Sequence, residues 1–239
     1  KFHAPAGPVL GFEALLRWQH PKLGLLTPDL FLPLAEKTGQ IIPIGNWVIN
    51  EACRQLREWH LKGHQNWSMA VNLSTLQFEQ PSLVSTVLDC LTRHQVPPEM
   101  LILEVTETTA MSNPDESVRV LTELTNAGVK ASIDDFGTGY SSLLYLKRLP
   151  ACELKIDRAF VKELSGESED ATIVSAIVAL AKTLNLKVVA EGVETEAQQA
   201  FLTELGCNTL QGYLLGKPVS AQTIETLCEQ GEILPDTES

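Results

Sequence analysis

Leu101-Ile102-Leu103-Glu104-Val105 is a continuous apolar run interrupted only by a carboxylate beside its end. A strand with one wet face would alternate apolar and polar residues, whereas a run of this kind is what a strand buried on both faces looks like in a parallel sheet. Comparable runs occupy residues 9–14, 68–72, 130–134, 153–156, 187–190 and 209–213, which with 101–105 makes seven predicted strands. Helical patterns lie between them. Ile173, Ile177, Leu180 and Leu184 recur at three- and four-residue intervals and predict a helix face packed on the sheet. Thr27 before Pro28 opens one helix, Thr195 with Gln198 has the spacing of a capping box, and Gly128 and Gly206 stand where left-handed caps belong.

Repeated β-to-α and α-to-β connections leave two architectures, an open doubly wound sheet or a closed (β/α)8 barrel. The polar residues decide between them. Glu13, Asn72, Glu104, Asp134, Lys155, Glu191 and Gln211 each stand at or near the C-terminal end of a different predicted strand, in steps of 59, 32, 30, 21, 36 and 20 residues. A closed barrel gathers its strand ends around one mouth, whereas an open sheet spreads them along an edge. The expectation is therefore an α/β chain folded as a TIM-like (β/α)8 barrel.

The 239 residues, 44% of them hydrophobic, suit one such domain, expected over residues 1–234 with a disordered tail at 235–239; residues 165–170 read as a polar loop between helices. No run of about 18 apolar residues occurs, and the first residues lack the basic-then-apolar order of a signal peptide. The piece is read as soluble and cytoplasmic, without membrane contact of its own. Because it starts without Met, it is also read as a fragment of a longer protein whose other parts could be membrane-anchored. Cys53, Cys90, Cys152, Cys207 and Cys228 form no C-x-x-C pair and fit neither a disulfide framework nor a zinc site. A net charge of −12 argues against a large nucleic-acid-binding surface.

Among the convergent side chains, Glu13, Glu104, Asp134, Asp135 and Glu191 are carboxylates. Packed together they repel, and desolvation adds several kcal/mol per unpaired ion, so positive charge must sit among them. Oxygen-only ligation by these carboxylates and the Asn72 amide selects hard cations, Mg²⁺ or Mn²⁺, over zinc. Two such ions with Lys155 would balance the five carboxylates. The pattern suits a two-metal phosphoryl centre, with ions roughly 3.5–4 Å apart activating a bridging hydroxide for in-line attack on phosphorus. An alternative is a barrel enzyme with a Lys base and one Mg²⁺ stabilising an enediolate. Asp135-Phe136-Gly137 is not a kinase motif, since no H-R-D loop or V-A-I-K strand accompanies it. His60 and His64 are read as a solvated helix end broken at Gly63, and Trp47, Trp59 and Trp67 as core or helix-packing residues.

Gly11-Phe12-Glu13-Ala14-Leu15-Leu16-Arg17-Trp18 contains an E-A-L signature with its L-R-W continuation. With Asn72-Leu73-Ser74, Glu104-Val105-Thr106-Glu107, Asp134-Asp135-Phe136-Gly137-Thr138-Gly139, Leu154-Lys155-Ile156-Asp157, Glu191-Gly192-Val193-Glu194 and Gln211-Gly212-Tyr213, the chain resembles the EAL family of cyclic di-GMP phosphodiesterases over nearly its whole length. The resemblance implies a barrel with one antiparallel strand and two-metal hydrolysis of cyclic di-GMP to linear pGpG. It implies Glu13, Asn72, Glu104, Asp134, Asp135 and Glu191 at the metals, with Lys155 acting on the attacking water. Gln211 would position the site, and Arg17, Leu16 and Asp157 would contact substrate. Glu107 would anchor loop 136–142 and couple the metals to a homodimer contact, and Glu194 would give outer support. A catalytically inactive cyclic di-GMP receptor working through partner contacts is the alternative. His3-Ala4-Pro5 stands where the family has a Q-P pair, so a shortened first strand is expected, and Leu215-Gly216 replaces an aromatic-Ser pair.

Overall fold

A computed structural model of the chain describes residues 1–4, 8–139, 143–164 and 168–231. The strands in chain order are β1 (Phe2–His3), β2 (Gly11–Ala14), β3 (Trp18–His20), β4 (Gly24–Leu26), β5 (Ser68–Leu73), β6 (Leu101–Thr106), β7 (Lys130–Phe136), β8 (Glu153–Ile156), β9 (Lys187–Ala190) and β10 (Thr209–Leu210). Eight of them form one sheet in the order β1-β10-β9-β8-β7-β6-β5-β2. All its pairings are parallel except that of β1 with β10. The sheet's two edges meet: Phe2 bridges Val9 in antiparallel sense, and the Leu10 N–H donates to the Lys1 carbonyl at 3.1 Å. The expected barrel with one antiparallel strand is what forms; Pro5 lies outside the described residues.

The period-two alternation of the strands sorts their side chains into two compartments. Leu101, Leu103 and Val105 of β6, with Ile133, Leu154, Val188 and Leu210, face outward and join the main apolar cluster with helix residues such as Ile49, Leu56, Leu121 and Val174. Ala70, Ile102 and Val189 are buried but stand apart from that cluster, inside the barrel. They share their faces with the polar residues of the mouth.

Local chemistry sets the joints. The Thr195–Gln198 capping box is complete, and Gly206 closes the same helix at φ 89°. Ser74 and Thr106 cap the short helices Thr75–Phe78 and Glu107–Ser112, so the chain turns immediately after β5 and β6. The predicted strand 209–213 ends at Leu210, because Gly212 lies so close to Val193 that a Cβ would come within 2.1 Å of its carbonyl oxygen. Predicted strand 9–14 likewise begins at Gly11.

Several expectations need correction. The long step from Glu13 to Asn72 contains an unforeseen hairpin, β3 with β4, before helices Pro28–Lys37 and Ile41–Leu61. Helix Glu169–Thr183 buries Ala171, Val174, Ile177, Val178 and Ala181, leaving Ile173 40% exposed. Trp59 and Trp67 are buried and pack on the half-buried Phe12, but Trp47 is 57% exposed. His60 is not a solvated helix end: it is buried, with Nε2 3.1 Å from the Trp67 carbonyl, while His64 stacks on the Trp67 ring. Of the predicted loop 165–170, residues 168–170 form the cap and first turn of a helix, and 165–167 lie outside the described residues, as does the predicted tail 235–239.

Candidate active site

At the C-terminal ends of the parallel strands, one lysine organises the mouth. Lys155 Nζ, carried inward by β8, lies 2.8 Å from Glu104 Oε2, 3.1 Å from Asp134 Oδ2, 2.7 Å from Glu191 Oε1 and 3.7 Å from Glu13 Oε2. The positive charge that the clustered carboxylates require is thus partly supplied by the chain. Burial works against the Lys155 ammonium, yet Glu104, Glu13, Glu191 and Asp134 hold its pKa well above the ordinary lysine value.

Glu13, at the end of β2, is held from both sides. Its Oε1 accepts from Asn72 Nδ2 and its Oε2 from Gln211 Nε2, each at 2.6 Å. These bonds draw β2, β5 and the turn after β10 around one point. The Gln211 side-chain oxygen Oε1 is buried and has no hydrogen-bond partner among the described residues.

Alternation should send Asp135 outward, since its neighbour Asp134 faces the barrel interior. A register shift between Ile133 and Phe136 on β7 and a φ of 53° at Asp135 turn it back. Bulges re-aim side chains in this way. One oxygen each of Asp134, Asp135 and Glu191 then lie within 4.8 Å of one another, an acidic cluster able to hold a metal ion. Burial raises all three carboxyls, Asp135 to about 6 with Asp134 adding repulsion, and Glu191 to about 7 against the opposing pull of Lys155. The cluster lacks enough positive charge of its own.

Glu104 differs. Burial opposes its charge too, but Lys1 and Lys155 outweigh burial and keep its carboxyl below the ordinary value. Lys1 Nζ bonds Glu104 Oε1 at 2.7 Å and Glu153 Oε1 at 2.8 Å. Sequence reading missed both Lys1 and Glu153. Glu153 stands two residues before Lys155 on one strand and so shares its inward face, which was a usable signal; Lys1 carried none.

The remaining predicted residues surround this centre. Buried Glu107 accepts the Gly137 N–H at 2.8 Å, and a Cβ on Gly139 would meet its Oε1 at 3.1 Å, so the described part of loop 136–142 rests on this carboxylate; residues 140–142 lie outside the described residues. Asp157 adds to the repulsion on Asp135 and caps helix Arg158–Lys162, accepting the Ala159 N–H at 2.7 Å. The Arg17 guanidinium donates to the Leu16 carbonyl at 2.7 Å, and both residues are half-buried. Glu194 is exposed; its backbone N–H donates to Gln198 Oε1, and its carboxylate makes no bond to the mouth among the described residues.

Fold and mouth together define a barrel of mostly parallel strands whose C-terminal end is an all-oxygen acidic site around a buried lysine. The chain belongs to the EAL domain family, whose model matches residues 2–218. It is similar to the bifunctional diguanylate cyclase/cyclic di-GMP phosphodiesterase MucR of Pseudomonas aeruginosa, 64% identical over 224 residues, which is 94% of this chain and 33% of that protein. The cyclic di-GMP phosphodiesterase NbdA of the same organism is 47% identical over 92% of this chain and 28% of its own length. The chain therefore spans about a third of the curated relatives it matches. The solved structure of the PaMucR phosphodiesterase in complex with c-di-GMP superposes with a TM-score of 0.91 at 64% identity, covering 93% of this chain and 90% of that one. Among the described residues, no helix is long and apolar enough to cross a membrane.

Proposed function

We propose that the chain hydrolyses one phosphodiester bond of cyclic di-GMP to give linear pGpG. The observation that carries this reading is the Lys155 ammonium held among Glu13, Glu104, Asp134 and Glu191 at the barrel mouth. The reading is supported by relatives named as cyclic di-GMP phosphodiesterases and by a c-di-GMP complex with the same fold.

The donor set fits hard divalent cations. It is all oxygen, its Asp134, Asp135 and Glu191 carboxyls are raised by burial and mutual repulsion, and the Gln211 side-chain Oε1 beside Glu13 is an acceptor with no partner among the described residues. Glu13, Asn72, Glu104, Asp134, Asp135 and Glu191 would hold two ions, Mg²⁺ or Mn²⁺. When bound, these ions would act as Lewis acids and acidify a coordinated water.

The chain's own residues do the rest. Hydrolysis forms a bond from a water oxygen to phosphorus and breaks the bond from phosphorus to a 3′ oxygen, which leaves with a proton. In the metal-free chain the surrounding carboxylates hold Lys155 as an ammonium against burial; its task is to orient the attacking oxygen and stabilise negative charge on it. Glu13 sets the Asn72 and Gln211 amides. Arg17 supplies a cation for a substrate phosphate, Leu16 beside it and Asp157 just after β8 contact substrate from different sides of the mouth, and Glu194 supports the turn after β9.

Glu107 anchors the loop after Phe136, through which a homodimer would sense the state of the mouth. A cytoplasmic location follows from the substrate. Incubating the purified chain with cyclic di-GMP and Mg²⁺ or Mn²⁺, and resolving the nucleotides by chromatography, is expected to yield pGpG. Binding without a linear product would replace this reading with the receptor one.

A further inference from the structure

Beneath the mouth the barrel interior is not filled by apolar side chains alone. Glu104 of β6, Ser132 of β7 and Glu153 of β8 lie side by side in register, and all three are buried. Two carboxylates at one level of a closed barrel are a costly arrangement, since each must be removed from water. The small Ser132 leaves room between them, and Lys1 reaches across it, its side chain only 4% exposed. The Lys1 ammonium bonds Glu104 Oε1 at 2.7 Å and Glu153 Oε1 at 2.8 Å. The Ser132 hydroxyl makes no hydrogen bond among the described residues, so it does not restrain the Glu104 carboxylate.

We propose that Lys1 is a positioning residue for Glu104, pinning one carboxylate oxygen from below so that only Oε2 is offered to the mouth. The inference rests on the metal-dependent reading above and concerns how one of its ligands is aimed. The Glu104 side chain is 0% exposed, and its two oxygens are divided between two ammonium groups on opposite sides, Lys1 on Oε1 and Lys155 on Oε2. A carboxylate gripped at one oxygen cannot rotate to bind a cation through both. Mg²⁺ requires near-octahedral geometry and tolerates a misdirected ligand poorly. Glu153 completes the device by holding the Lys1 ammonium at the correct height. Partners that orient a metal ligand without touching the metal typically contribute 10–100-fold to affinity or activity.

The test is Mn²⁺ binding to metal-stripped protein without substrate, followed by calorimetry and by loss of the free-ion paramagnetic signal. Lys1→Met is expected to weaken Mn²⁺ binding by about 10–100-fold, with kcat at saturating Mn²⁺ falling less than the binding midpoint shifts. Lys1→Met alone leaves Glu153 buried and unpaired, so the decisive variant is Lys1→Met with Glu153→Gln, in which Lys155 still pairs with Glu104. That double variant is expected to regain thermal stability yet keep the weakened Mn²⁺ binding, a split that a merely structural role would not produce. A double variant that binds Mn²⁺ like the parent, or that fails to fold, overturns the proposal while leaving the phosphodiesterase reading in place. A parent chain that binds no Mn²⁺ overturns both.

Discussion

Along β6, the outward side chains Leu101, Leu103 and Val105 are wholly buried against an apolar cluster shared with the helices, whereas Glu104, one pleat away and just as buried, meets the ammonium groups of Lys1 and Lys155. The outer face gains from leaving water, about 25 cal/mol for each Å² of apolar surface removed. On the inner face burial opposes every charge and is offset only by pairing. At Glu104 the offset is complete; at Asp135 and Glu191 it is not, and their carboxyls sit near 6 and 7. One set of strands therefore carries apolar packing on one face and the charges of the proposed active site on the other. A substitution should disturb one with little effect on the other.

The largest expected effect is Glu13→Ala. It removes the acceptor of both the Asn72 and Gln211 amides and one of the charges beside Lys155. Turnover of cyclic di-GMP is expected to fall on the order of 10³-fold, with the circular dichroism of the folded chain unchanged. Activity close to the parent would remove Glu13 from the site. The counterpart on the outer face is Leu103→Ala, which leaves a cavity under the helices. It should destabilise the fold by about 3 kcal/mol in a denaturant titration, while turnover per folded molecule stays within roughly twofold. If that variant lost turnover as deeply as Glu13→Ala, the two faces would not be separable.

The outer and inner faces also differed in how readily they could be read. Parallel strands buried on both sides appear as continuous apolar runs, which placed all seven predicted strands, and a polar residue recurring near the end of each revealed the mouth. Asp135 was harder to place, because strict alternation points it away from the mouth and only the shift in register and the positive φ bring it back. The β3–β4 hairpin pairs only with itself and leaves Trp18 and Leu25 exposed, so burial printed no pattern on its sequence. The helix Glu169–Thr183 misled in the other direction. Its contact face is built partly from Ala171 and Ala181, where small side chains allow close approach, and the larger Ile173 looked like the better core residue.

A smaller effect would sharpen the comparison, because it separates the two faces by sign. Glu191 is raised from an ordinary 4.5 to about 7, first by burial and then by Asp134 and Glu13, against Lys155. An acid whose folded value is raised destabilises the fold wherever it is charged. That cost is absent below about 4.5, grows as pH rises, and is complete above about 7. Glu191→Gln removes the charge and leaves Lys155 paired with Glu104 and Asp134. The metal-free variant is therefore expected to melt above the metal-free parent at pH 8, by roughly 2–4 °C for each kcal/mol relieved, and the gain should shrink toward pH 5. Added Mn²⁺ should reverse the order, because the parent then gains a ligand that the variant lacks. Melting curves of both proteins at the two pH values, with chelator and with Mn²⁺, read this directly. A variant that melts below the parent even with chelator present would mean that Lys155 fully compensates Glu191, and that the inner face carries no cost awaiting a cation.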